Sequence, residues 1–118
     1  MPRLLIADDS SEFATWVSSV LEEAGYEVTA AGTGTDAIRQ MERGGVDAAV
    51  LDVLMPGMSG DVIAERLRRI APRLPVLLMT GAYGTQYVKG VPAPVLRKPF
   101  TEEQLVEAVQ KLVGPAEA

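Results

Sequence analysis

Short, continuously apolar runs alternate along the chain with segments in which apolar residues recur at helical spacing. The runs LLIA (from Leu4), AAVL (from Ala48) and VLLM (from Val76) contain no polar residue, which is typical of strands covered on both faces. The predicted strands are Arg3–Ala7, Glu27–Ala31, 48–53, Val76–Thr80 and Val95–Arg97.

Four segments between and after these strands have helical periodicity. The first has an apolar stripe that ends before Gly25, and the last opens at Thr101 with the capping box TEEQ. Weaker helical patterns cover residues 35–43 and 61–70. The residues of the first stripe are Phe13, Trp16, Val17, Val20, Leu21 and Ala24.

Alternation of strands and helices predicts an α/β protein with right-handed crossovers and a parallel sheet. Five strands in 118 residues fit the doubly wound, flavodoxin-like sheet of order 2-1-3-4-5. We expect one domain over residues 1–118, with 114–118 as a tail or the start of a linker.

The segment GAYGTQYVKGVPAP, residues 81–94, stands where this fold places a fourth crossover helix. It contains three glycines and two prolines, which disfavour helix. We therefore expect a shortened fourth helix of one or two turns.

Composition excludes several classes of function. The sequence has no cysteine and no histidine, so thiolate nucleophiles, Ser-His-Asp chemistry and imidazole or thiolate metal sites are absent. A net charge of −5 argues against nucleic-acid binding by this domain. There is no apolar stretch of membrane-spanning length and no signal-peptide pattern, so we expect a cytoplasmic protein without membrane attachment.

Acidic, hydroxyl and basic residues lie at the carboxyl ends of four of the predicted strands. Asp8 and Asp9 follow the first strand, Asp52 lies at the end of the third, Thr80 ends the fourth and Lys98 follows the fifth. Carboxyl ends of parallel strands meet at one edge of the sheet, so these side chains should converge. Each pair among three carboxylates about 4–6 Å apart would repel by roughly 4 kcal/mol. A hard cation such as Mg²⁺, helped by a lysine, would relieve that repulsion.

These motifs make the chain resemble a response-regulator receiver domain of two-component signal transduction, of the single-domain or hybrid-kinase type. The likeness covers nearly the whole chain. The matching features are Asp8-Asp9 after the first strand, LDVLMPGMSG around Asp52, MTG with Thr80, and RKPF with Lys98 and Pro99.

The resemblance implies that Asp52 accepts a phosphoryl group in a Mg²⁺-dependent reaction. Asp8, Asp9, Asp52 and the backbone carbonyl of Leu54 would hold the metal. Because the chain has no histidine, the phosphoryl group would come from a sensor histidine kinase, a phosphotransfer protein or a small donor. The domain would promote its own phosphorylation and dephosphorylation without being a turnover enzyme.

The resemblance also assigns a switch. Lys98 would pair with the phosphoryl oxygens, and its peptide bond to Pro99 would be cis. The Thr80 hydroxyl would move to bond the phosphoryl group, and the resulting conformational change would control a downstream protein. Receivers often carry an aromatic residue three positions before the lysine. Here that position is Val95, which we expect in the core, so Tyr83 or Tyr87 would have to supply an aromatic switch.

Alternative functions explain fewer residues. GTGTDA at residues 32–37 matches a dinucleotide-binding G-x-G-x-x-A, and Asp52 ends the next strand, but the acidic pair, Thr80 and Lys98 would then have no role. An acidic loop after the first strand would repel the phosphate of FMN. An aspartyl-phosphate hydrolase would need an aspartate where Leu54 stands. A receiver-like module that signals through protein contacts without phosphorylation remains an alternative.

Overall fold

Five parallel strands form one sheet in the computed structural model, which describes residues 1–81, 88 and 91–114. The strands are β1 (Arg3–Ala7), β2 (Glu27–Ala31), β3 (Ala48–Asp52), β4 (Val76–Thr80) and β5 (Val95–Arg97). The described helices are α1 (Ser11–Glu23), α2 (Gly34–Glu42), α3 (Gly60–Ile70) and α4 (Glu102–Val113).

The strand order is β2-β1-β3-β4-β5, and each neighbouring pair is parallel. This confirms the predicted doubly wound sheet. The strand predicted over 48–53 ends one residue earlier, at Asp52. The shortened helix predicted within 81–94 falls mostly on residues 82–87 and 89–90, which lie outside the described residues.

The central strands are buried on both faces, as their continuous apolar runs predict. Every residue of β3 and β4 is buried. Because side chains alternate along a strand, Leu5 of β1 packs in one cluster with Ile63 and Leu67 of α3. Leu4 packs in the opposite cluster with Leu21 of α1 and with residues of α4. Helices therefore cover both faces, and the ends of the strands are left to form a site.

Side-chain hydrogen bonds cap the N-termini of α1, α2 and α4. The Thr101 hydroxyl accepts from the Gln104 amide at 3.1 Å while the Gln104 side chain accepts from the Thr101 amide at 2.8 Å, which confirms the capping box. Gly25, predicted to end α1, follows the C-cap residue with a left-handed φ of 100°.

The glycine-rich turn at residues 32–37 starts α2. Thr33 caps α2 by accepting from the Asp36 amide at 3.0 Å. A Cβ on Gly34 would lie 2.8 Å from the sulfur of Met58, so a larger residue would collide with the loop after β3. Gly34 of this glycine pattern therefore has a packing reason, whereas a Cβ on Gly32 would meet no other heavy atom within 4 Å.

Within the described ranges, no helix has the length and apolar character needed to cross a membrane.

Candidate functional site

Three carboxylates meet at the carboxyl ends of β1 and β3. These strands are neighbours, with Ala7 of β1 paired to Leu51 of β3, so the residues that follow lie side by side. One carboxylate oxygen from each of Asp8, Asp9 and Asp52 lies within 4.8 Å of the other two. Asp8 and Asp52 are buried and Asp9 is exposed. The cluster is thus open to solvent through Asp9.

Hydrogen bonds of the β1–α1 turn fix Asp8. Its side-chain Oδ1 accepts from the backbone amide of Ser10 at 2.9 Å, and its own amide donates to the Ala31 carbonyl at 3.1 Å. Ser10 is also the N-cap of α1, where its hydroxyl accepts from the Phe13 amide at 3.3 Å. The turn that starts the helix therefore also orients a carboxylate of the site.

Lys98 brings a positive charge to these acids from the far end of the sheet. Its amide donates to the Thr80 carbonyl at 2.8 Å, and its peptide bond to Pro99 is cis, as the resemblance implied. The ammonium Nζ lies 3.3 Å from Oδ2 of Asp8 and 3.5 Å from Oδ1 of Asp52. One cation thus bridges the two buried carboxylates.

The surroundings of Asp52 raise the pKa of its carboxyl. Burial raises the pKa of the Asp52 carboxyl, and the negative charge of Asp8 raises it further. The Lys98 ammonium and the backbone amide of Leu54 lower that pKa, but burial and Asp8 outweigh them. Ionised Asp52 is therefore short of positive charge in this arrangement, and an added cation would stabilise it.

Thr80 lies buried at the end of β4, one residue beyond the position that pairs with Asp52. Its hydroxyl donates to the Gly81 carbonyl at 3.1 Å. Leu54, the other residue predicted for the site, lies two positions after Asp52 with a side chain that is exposed. The described contacts thus join Asp8, Asp52 and Lys98 directly, while the Thr80 hydroxyl bonds the backbone carbonyl of the next residue, Gly81.

The donor set suits a hard divalent cation. The clustered ligand atoms are carboxylate oxygens, two of them on buried residues and one on an exposed residue, which leaves room for water or a substrate oxygen. Asp8, Asp9 and Asp52 therefore fit Mg²⁺, the metal that sequence reasoning predicted.

Val95 does not lie in the core, contrary to the expectation from sequence. It belongs to the edge strand β5, and its side chain is 39% exposed, because the described residues leave that side of the sheet edge uncovered. Tyr83 and Tyr87, the candidates for the missing aromatic residue, lie outside the described residues.

Sequence reasoning missed two residues of this region. Phe13 belongs to the apolar stripe of α1, which predicts only that this residue faces the core. The Lys98 ammonium lies 4.3 Å from the centroid of the Phe13 ring. Gly60 was not singled out, but a Cβ there would lie 2.7 Å from the backbone oxygen of Asp52. A clue to Gly60 was its place at the end of the motif LDVLMPGMSG. Nothing in the local pattern indicated the contact of Phe13.

Together, the doubly wound sheet and an acid cluster bridged by a lysine at its carboxyl edge define a receiver-type signalling domain. The model of the response regulator receiver domain matches residues 4–110, and the chain belongs to this family. Members of the family are in general signalling proteins, not turnover enzymes. They bind Mg²⁺ at an acidic pocket and interact with histidine kinases or phosphotransfer proteins.

Relatives of two lengths match the chain. The response regulator receiver protein CpdR of Brucella abortus is 31% identical over 117 residues, which are 96% of this chain and 98% of CpdR. The transcriptional regulatory protein TctD of Salmonella typhimurium is 36% identical over 115 residues, 94% of this chain and 51% of TctD. The chain thus spans about half the length of several curated relatives, TctD among them.

Solved structures show the same fold. The crystal structure of a response regulator receiver domain protein from Clostridium thermocellum superposes with a TM-score of 0.88 at 27% identity. The superposition covers 96% of this chain and 94% of that protein.

Proposed function

We propose that this chain is a phosphorelay receiver that accepts a phosphoryl group on Asp52 in a Mg²⁺-dependent reaction and changes conformation to control a partner protein. The observation that carries the proposal is the cluster of Asp8, Asp9 and Asp52 with the Lys98 ammonium 3.5 Å from the Asp52 carboxylate. The domain is proposed to extend over residues 1–118, with 114–118 as its tail or the start of a linker.

Asp52 is the nucleophile in this reaction. An oxygen of its carboxylate forms a bond to phosphorus as the bond between phosphorus and the donor breaks. With a phosphohistidine donor, the imidazole nitrogen leaves with the bonding electron pair and takes a proton from solvent. The donor belongs to a sensor histidine kinase or a phosphotransfer protein, since this chain has no histidine.

Asp8, Asp9, Asp52 and the backbone carbonyl of Leu54 would hold the metal. A Mg²⁺ held by these ligands would supply positive charge to offset that of the phosphoryl oxygens. Asp8 is suited to this role because the Ser10 amide already fixes one of its oxygens. Asp9, the exposed member of the cluster, leaves the site accessible to metal and donor.

Lys98 and Thr80 respond to the new phosphoryl group. The Lys98 ammonium, already 3.5 Å from the Asp52 carboxylate, is placed to pair with a phosphoryl oxygen. The Thr80 hydroxyl, which now donates to the Gly81 carbonyl, would turn to donate to the phosphoryl group. That change at the end of β4 is the proposed start of the signal to a downstream protein. In this role the chain promotes its own phosphorylation and dephosphorylation and is not a turnover enzyme.

Intact-protein mass spectrometry tests the proposal. The wild type and Asp52→Asn are incubated with acetyl phosphate, with and without Mg²⁺, and in parallel with a phosphorylated histidine-containing partner. We expect the wild type to gain one phosphoryl group only with Mg²⁺, and the variant to gain none. A wild type unmodified by both donors would contradict the proposal and favour a receiver-like module that acts without phosphorylation.

A further inference from the structure

Three aromatic rings border the acidic site on the side of α1. Phe13 and Trp16 of α1 contact each other with ring centroids 5.7 Å apart. Phe100, two residues after Lys98, lies 5.6 Å from Phe13 in an edge-to-face arrangement and 5.8 Å from Trp16. Each ring thus contacts the other two, and we call Phe13, Trp16 and Phe100 the aromatic cluster. All three are partly buried.

The Lys98 ammonium lies where the aromatic cluster meets the acids. Its Nζ is 4.3 Å from the centroid of the Phe13 ring, within the range of a cation–π contact. The same nitrogen lies 3.3 Å from Asp8 and 3.5 Å from Asp52, and the Lys98 side chain is 27% exposed. The ammonium is therefore held between two carboxylates and one ring face, with part of its surface open to solvent.

We propose that Phe13 is a positioning residue for Lys98, holding the ammonium where it meets an incoming phosphoryl oxygen. This role rests on the proposed function of Asp52 as the phosphoryl acceptor. A lysine has a flexible four-carbon side chain and a strongly hydrated charge, so attraction to carboxylates alone leaves its position loosely defined. A ring face on one side restricts that freedom before the donor arrives, and catalysis by a fixed charge depends on such preorganisation.

The other two rings hold Phe13 in place. Phe100 meets the Phe13 ring from the β5–α4 connection and Trp16 meets it from the next turn of α1, so the ring is supported from two elements. Among the described residues, the cation–π contact of Lys98 is made by Phe13 alone. Trp16 therefore offers a matched control, because it belongs to the same cluster without that contact.

Lysine-selective NMR tests the contact directly. The chain has three lysines, Lys89, Lys98 and Lys111, so ¹³C-lysine labelling yields only three ε-methylene signals. Lys111 pairs with Glu107 at the exposed surface of α4 and serves as an internal reference. We expect ring currents to shift the ε-protons of Lys98 upfield. The shift should disappear in Phe13→Leu and Phe13→Met, and it should be retained in Phe13→Tyr.

Phosphorylation by acetyl phosphate at saturating Mg²⁺ tests the consequence. Phe13→Leu and Phe13→Met should slow the reaction about threefold to tenfold, as expected for loss of a partly desolvated cation–π contact. Phe13→Tyr should retain the wild-type rate. Trp16→Leu removes one support of the Phe13 ring but leaves the ring itself, so it should slow the reaction less than Phe13→Leu and keep the Lys98 signal upfield. All variants are compared under conditions in which each is fully folded.

Two results would overturn the positioning role: a Lys98 signal unchanged in both Phe13→Leu and Phe13→Met, or equal slowing in Trp16→Leu and Phe13→Leu. The second result would mean that packing of the cluster, not the ring–ammonium contact, affects the rate. A wild type that takes up no phosphoryl group contradicts the proposed function instead, and the lysine spectra then decide by themselves whether Phe13 positions Lys98.

Discussion

The Lys98 ammonium lies 3.3 Å from the Asp8 carboxylate although 90 positions separate the two residues along the chain. Two strands, β3 and β4, lie between the strands that these residues follow. Lys98 therefore reaches across the ends of both central strands, and on the way its ammonium also contacts Asp52. The three charges form one electrostatic unit, so a change at any of them should alter the others.

Removal of the Asp8 charge should weaken metal binding. In Asp8→Asn the cluster loses one anionic ligand while the hydrogen-bonding shape of the side chain is kept. We expect the Mg²⁺ dissociation constant to rise at least about tenfold, equal to about 1.4 kcal/mol, as measured by isothermal titration calorimetry. Glu107→Gln, which removes an exposed carboxylate on α4, is the control and should leave the constant unchanged. Equal affinity in Asp8→Asn would argue against Asp8 as a ligand.

Asp52 should reduce the stability of the metal-free protein at neutral pH. Burial, with the charge of Asp8, raises the pKa of Asp52 above the ordinary 3.8, so the folded state holds this proton more tightly than the unfolded chain does. The contribution of Asp52 to stability is then full below its pKa in the unfolded chain. It is lost as pH rises through its pKa in the folded protein.

Asp52→Asn should accordingly have a higher free energy of unfolding than the wild type at pH 7 without Mg²⁺. The difference should shrink as the pH falls towards and below 3.8, the ordinary value. Urea denaturation across a pH series measures this difference in unfolding free energy. Added Mg²⁺ should reduce the difference at pH 7, because it stabilises the ionised wild type. A variant less stable than the wild type at pH 7 would contradict this electrostatic account.

Any side chain at position 60 should destabilise the fold. A Cβ at this position would lie 2.7 Å from the backbone oxygen of Asp52 and 2.8 Å from Cα of Val53, and backbone atoms of a buried strand end cannot move aside easily. Gly60→Ala should lower the free energy of unfolding by about 1–3 kcal/mol, as for other overpacked sites. It should also slow phosphorylation by displacing Asp52.

Gly32→Ala is the matched control for this substitution. No atom lies within 4 Å of a Cβ built on Gly32, so its stability should change by less than about 0.5 kcal/mol. If both alanine variants unfold at the same denaturant concentration, the close approach of Gly60 to Asp52 is not a constraint on the fold.

Tyr26 should stabilise the end of α4 in a pH-dependent way. Its buried hydroxyl donates to the Gly114 carbonyl at 2.9 Å, so Tyr26→Phe should lower the free energy of unfolding by about 1 kcal/mol at pH 7. Burial raises the pKa of Tyr26 above 10.0, which means that the folded wild type loses stability as pH rises beyond that value. Denaturation curves above pH 10 should therefore show a smaller difference in unfolding free energy between the wild type and Tyr26→Phe.

Local patterns in the sequence were sufficient for most of the architecture. Continuous apolar runs identified strands buried on both faces, and the alternation of strands with helices predicted the parallel sheet and its order. Because parallel strands align their carboxyl ends, the same patterns predict that Asp8, Asp9 and Asp52 lie at one edge of the sheet. The capping box at Thr101 was likewise readable, since its two hydrogen bonds involve residues only three positions apart.

Contacts between side chains far apart in sequence could not be predicted from local patterns. The contact of Lys98 with Phe13, the approach of Gly60 to Asp52 and the exposure of Val95 all depend on where loops and neighbouring elements end in space. Strand and helix periodicity reports which face of an element is buried, but it does not report which residue lies opposite. Motifs and strand order were therefore enough to predict the family and the acidic edge, because both depend on local patterns. The groups around the Lys98 ammonium depend on packing between elements that are distant in sequence.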